Sequence, residues 1–219
     1  YRAFMQSMPF FGIIAISATF VVTLGEIDLS FPSIVGITSL IFGIIMTSTD
    51  GNFFIAFILA TSLGMFAGLV NGLLVTKIGI PSIVATIGTL FFWRGLVNVI
   101  SQGSGIAIVD VADGTWHHMI FVEKLFGKIP MQFIWFIVLT GLMQWVYRYH
   151  KFGNHIHFVG DNKASAQMMG INVDNVKIIA FVQLGFFSAL AGIFTMYEML
   201  YFWPTPVSYT HLRAHETSA

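Results

Sequence analysis

The stretch Gly25-Glu-Ile-Asp-Leu-Ser-Phe-Pro32, GEIDLSFP, decides how the chain is read. It puts two carboxylates, Glu26 and Asp28, between two long apolar runs. Acids are costly in such surroundings unless a structural break, a partner or a cavity receives them. Gly25 frees the backbone, and Pro32 suits the first turn of a new helix, where its missing N–H costs least. Asp28 or Ser30 would cap that helix by accepting its orphan N–H groups. Capping accounts for one carboxylate. Two of them, with Ser30 and Pro32, point to a helix break that lines a cavity.

The chain around this stretch is 56% hydrophobic and 9% charged over 219 residues, with mean hydropathy +0.82. Soluble domains carry about 25% charged residues, so most of this surface does not face water. Six apolar segments approach the roughly 20 residues that cross a bilayer as a helix. They lie near 8–24, 33–49, 53–75, 81–101, 131–149 and 176–203. The expected fold is all-α, a polytopic transmembrane bundle, because lipid leaves unpaired backbone groups unsatisfied.

Loop charge sets the orientation. Residues 148–177 hold Arg148, Lys151, Lys163 and Lys177, so this connection is cytoplasmic by the positive-inside bias. Alternation puts Lys77 and GEIDLSFP toward the same side. It puts STDGN (48–52) and the long polar loop 102–130 on the other side. Trp145, Tyr147, Tyr149, Tyr197, Tyr201 and Trp203 are expected in interfacial belts. Gly64, Gly68 and Gly72 share one helix face, where another backbone can pack closely. Ser188 and Gly192 repeat that spacing.

Enzyme signatures are missing. The sequence has no phosphate loop, zinc helix or nucleophile elbow, so the chain is not expected to hydrolyse ATP by itself. No cysteine is present. The pairs His117–His118 and His155–His157 lack convincing partner ligands and read as solvated loop histidines, so no metal or cofactor is expected. A zero net charge gives no sign of nucleic-acid binding. The better clue is a polar stripe in the fourth segment. Ser82, Thr86 and Thr89 are followed by Arg94 and Asn98. Arg94 either lines a solute path or snorkels beside Trp93.

Three blocks in order resemble the permease subunits of ABC importers of the ribose/xylose/galactoside class. GEIDLSFPSIVGI resembles their GGIDLSVGS signature. LGMFAGLVNGLLVTKIGIPSIVATIGTLFFWRGL resembles the next block, and FGNHIHFVGDNKASAQMMGINVDNVK resembles their cytoplasmic loop. FWPT (202–205) adds a fourth, shorter match. The likeness runs from about residue 5 to 205.

The resemblance implies about ten helices in the whole protein, of which about six are here. It implies a bilayer-embedded pair of permease subunits, a cytoplasmic ATP-binding subunit and an extracytoplasmic sugar-binding protein. The location would be the cytoplasmic (inner) membrane, multi-pass. Translocation-path or break residues would be Glu26, Asp28, Ser30, Asn71, Thr86, Arg94 and Asn98. A coupling loop toward the ATPase would use Gly160, Asn162, Ala164, Ala166, Gly170 and Ile171. Here Lys163, Ala164, Ser165 and Gln167 depart from the usual Glu, Glu, Ala and Arg, which weakens charged docking but keeps a small-residue surface. Residues 1–205 are expected to be a partial permease domain. Residues 206–219 resemble adapter read-through, so His211 and His215 carry no weight. Branched-chain amino acid or nucleoside permeases are the nearest alternative, and an ion-coupled transporter the more distant one. The particular sugar, and whether the permease pair is a homodimer or a heterodimer, are not written in any motif.

Overall fold

The computed structural model describes residues 2–125 and 129–204, with side chains from residue 8 onward. The expected tail at 206–219 lies outside the described residues. Six long helices dominate: α1 (Arg2–Thr23), α2 (Phe31–Ser48), α3 (Phe53–Leu73), α4 (Ser82–Ser101), α7 (Met131–Tyr149) and α10 (Val173–Met199). They correspond to the six apolar segments. Four, α2, α3 with its extension to Ile78, α4 and α10, are long and apolar enough to cross a membrane. Among the described residues, Met8–Thr23 of α1 is a further, shorter apolar helical stretch.

The connections hold more structure than their polarity suggests. The 102–130 stretch contains α5 (Val109–Ala112), α6 (Trp116–Val122) and three two-residue strands: β1 (Ile106–Ala107), β2 (Lys124–Leu125) and β3 (Ile129–Pro130). β2 pairs antiparallel with β3. β1 pairs antiparallel with β4 (Tyr201–Phe202), just past α10, joining segments far apart in sequence. The basic connection folds into α8 (Lys151–Asp161) and α9 (Lys163–Met168).

α10 is the central element, burying Leu184, Ala189, Ile193 and Phe194 among many others. Its closest partner is α3. An added Cβ at Gly68 would collide with the Phe181 carbonyl of α10, and one at Gly72 would lie 2.9 Å from the Ile178 Cα. Gly64 and Gly185 face each other, each leaving no room for a Cβ against the other's carbonyl. One step along, Ser39 of α2 donates to the Gly192 carbonyl at 2.7 Å. With no water to expel between helices in lipid, such backbone proximity gains dispersion energy and polar contact in place of a hydrophobic drive.

The end of the bundle carrying residues 102–125 is closed by aromatics. Phe53 stacks on His117, centroids 5.3 Å apart, and Phe42 meets Tyr197 edge-on at 5.2 Å. Two expectations are corrected here. Tyr197 is wholly buried rather than interfacial, and His117 is buried rather than a solvated loop histidine. The two bond to each other, Tyr197 Oη to His117 Nδ1 at 2.9 Å. A polar tip can sit in an apolar layer when it brings its own partner. Burial, and secondarily the adjacent His118, hold the His117 imidazole below its ordinary pKa of 6.5.

Two outcomes follow from this packing. Gly68→Ala should lower the melting temperature of the detergent-purified protein, at a cost of about 1–3 kcal/mol. Gly88→Ala, where a Cβ meets open space, should leave it unchanged or slightly raised. His117 resists protonation when folded, so the unfolded chain binds more protons at mildly acid pH. Stability from this group is complete above 6.5 and lost as pH falls through the depressed folded value. The wild-type melting temperature should therefore drop between pH 7 and pH 5 more than that of His117→Gln.

Candidate functional site

The chain leaves α1 through a Schellman turn. Gly25 adopts φ 75°, its N–H bonds the Val22 carbonyl at 2.9 Å, and the Glu26 N–H reaches back to Val21 at 3.1 Å. Residues 26–30 are then non-helical until α2 begins at Phe31. This extended piece runs against α4. The Ile27 N–H donates to Ser82 Oγ at 3.1 Å, and the Leu29 N–H donates to Thr86 Oγ1 at 3.2 Å. The match is geometric. Two residues of extended chain rise about 6.6 Å, and one i to i+4 step of helix rises about 6 Å. The hydroxyl stripe of α4 thus serves as a substitute strand for a backbone with no sheet.

Asp28 anchors the next step. Its Oδ1 accepts from the Ser30 N–H and Ser30 Oγ, both at 2.7 Å. Its Oδ2 accepts from Asn71 Nδ2 at 3.1 Å. Asn71, fully buried on α3, also donates to Ser30 Oγ at 2.7 Å and accepts from Thr89 Oγ1 on α4 at 2.7 Å. Each member is buried and bonded, the condition for keeping polar groups in an apolar interior. The carboxylate, rather than the Ser30 side chain, takes the N–H at the helix entrance; Ser30 makes no side-chain cap.

Glu26 has a different role from its neighbour. It is buried beside Lys177 of α10, which donates to it, and the Lys163 ammonium of α9 lies 3.8 Å away. On the same side of the bundle, Lys77 pairs with Asp174 at 2.8 Å. Lys77 sits in a single π-helical turn, Leu74–Ile78, that extends α3 and is closed by Gly79 at φ 81°.

Of the expected path residues, Asp28, Ser30, Asn71 and Thr86 therefore meet in one cluster, and Glu26 adjoins it. Arg94 and Asn98 stand apart, exposed farther along α4 while Trp93 beside them is buried. The loop residues divide similarly. Asn162 caps α9 by accepting from the Ser165 N–H at 3.0 Å. Gly160 presses on the Thr23 carbonyl of α1, and Ala166 is buried. Gly170, at φ 80°, ends α9 in a second Schellman turn with Ile171 bonded to the Ala166 carbonyl at 3.0 Å. Ala164 faces outward. The pairing of Glu26 with Lys177 and Lys163 escaped the sequence reading. Its signal was present: a buried carboxylate must find a cation, and the richest supply was the 148–177 connection.

The chain is similar to known proteins. The family described as "Branched-chain amino acid transport system / permease component" matches residues 2–211. The chain is 33% identical over 186 residues to the "Autoinducer 2 import system permease protein LsrC" of Photorhabdus luminescens, covering 83% of this chain and 53% of that one. The protein of the same name from Yersinia pseudotuberculosis is 34% identical over 181 residues, covering 83% and 50%. The chain thus spans about half the length of these curated relatives. No solved structure matches it. With its apolar spanning helices and a family match over nearly its whole length, the chain is a multi-pass inner-membrane protein, and it belongs to the permease-component family of branched-chain amino acid transport systems.

Proposed function

We propose that the chain is part of the permease subunit of an ATP-driven importer and forms the path for a sugar-like solute. The observation that carries this reading is the likeness, over 83% of the chain, to permeases named for autoinducer 2 import. A separate ATP-binding subunit, an extracytoplasmic binding protein and a second permease subunit complete the machine. The family's own description favours a second reading, branched-chain amino acids as the solute.

In this reading the chain works by switching between inward- and outward-facing arrangements, each stabilised by its own contacts. The break at residues 26–30 is the element suited to change. Hydroxyl groups of α4 hold it, and these can exchange partners at small cost, unlike helical backbone bonds. Arg94 and Asn98, exposed on α4, offer polar groups to the path beyond the Asp28 cluster. The outer surface of α9, with Ala164 and the strongly exposed Met168, meets the ATPase. Glu26 and Asp28 are engaged with Lys177, Ser30 and Asn71, which weighs against their carrying a coupling ion.

The full-length permease, reconstituted in liposomes, should take up labelled monosaccharide only with ATP, the ATPase and the binding protein all present. Uptake by the permease alone on an ion gradient overturns the reading, and leucine uptake in place of sugar establishes the second. Asp28→Ala removes three buried hydrogen bonds, of about 0.5–1.5 kcal/mol each. It should cut uptake about tenfold or more while the protein still reaches the membrane. Normal uptake at normal expression removes the break from the mechanism.

A further inference from the structure

Glu26 sits between two ammonium groups that differ in kind. Lys177 is held inside the bundle, its side chain 12% exposed, and it bonds Glu26 directly. Lys163 is 55% exposed and stands at 3.8 Å, at the start of α9. One lysine already balances the carboxylate, so the second can leave without stranding a buried charge. That asymmetry is what a releasable contact requires, because removing the sole partner of a buried ion is strongly unfavourable.

α9 is built to move as a piece. It has six residues, Lys163–Met168. Extended Asn162 precedes it and left-handed Gly170 follows shortly after it. Ala166 is its one buried side chain. On the other side, Glu26 lies two residues before Asp28, and Ile27 and Leu29 between and beyond them are fastened to α4. A displacement of α9 therefore reaches the Asp28–Asn71–Thr89 cluster through a few consecutive bonds.

We infer that Lys163 and Glu26 form a releasable latch that couples the position of α9 to the helix break, with Lys177 as the resident counter-charge when Lys163 departs. Lys163 is a positioning residue: it touches no solute and acts through Glu26. The inference rests on the transport reading above for its purpose, but the latch itself is a property of the chain. The Lys163 ammonium is pushed to a lower pKa chiefly by Lys177 beside it, as expected where two cations compete for one acid.

The test has two independent readouts on the full-length chain. The sequence described here contains no cysteine; with any elsewhere in the full chain replaced, Ala166→Cys gives a unique thiol at the buried seat of α9. Its reaction with a maleimide should be several-fold faster when combined with Lys163→Ala, and near the parental rate with Lys163→Arg. Equal rates for all three overturn the latch, whatever transport shows. In the reconstituted complex, without the cysteine, Lys163→Ala should import several-fold fewer solute molecules per ATP hydrolysed, with Lys163→Arg restoring the ratio. An unchanged ratio in a transporting complex overturns the coupling role. A wild-type complex that never transports with ATP refutes the transport reading and leaves the labelling result to decide the latch.

Discussion

The arrangement of α1, α2, α3 and α4 around residues 26–30 depends on backbone groups left without helical partners. Between α1 and α2 the chain abandons helical bonding for several residues, with Glu26, Asp28 and Ser30 buried between exposed Ile27 and Leu29. The unpaired amides must be met by side chains. Ser82 and Thr86 meet two of them, Asp28 meets a third, and the Schellman turn at Gly25 closes the preceding helix. Because α4 supplies these hydroxyls, its position along the break is fixed. Because Asn71 ties Asp28 to Thr89, α3 is locked into the same arrangement.

The two acids of the opening stretch are thus separate devices. Asp28 belongs to a neutral hydroxyl and amide network and organises geometry. Glu26 belongs to an ion cluster and joins the break to the basic connection. Hydrogen bonds to hydroxyls and an amide fix one side of the break, and charge links its other side to short helices at the surface.

Much of this was legible in advance. Apolar length gave the six long helices, because spanning lipid leaves few backbone choices. Asp28, Ser30 and Thr86 stood out because polar groups amid apolar runs demand a reason, Gly25 for its backbone freedom, and Asn71 only through the family resemblance. The connection that supplies a cation to Glu26 was legible but the particular lysine was not, since Lys177 reads as a loop charge until α10 is seen to begin at Val173. His117 and Tyr197 were misread because residue type alone places them at an interface. Only the third dimension brings Phe53, distant from both in sequence, over their contact. The short strands β1 to β4 were equally hidden, as two residues carry no periodicity.

The close seating of α3 on α10 has a consequence for biogenesis. Gly64 is synthesised long before Gly185, the residue it faces, and ribosomes add about 5–20 residues per second. The glycine groove of α3 therefore waits on the order of ten seconds in the bilayer before its partner arrives. During that interval lipid, the insertion machinery or another α3 must occupy it. Packing of α3 on α10 is consequently a post-insertional event, and the helix that fills the groove is also the one that delivers Lys177 to Glu26.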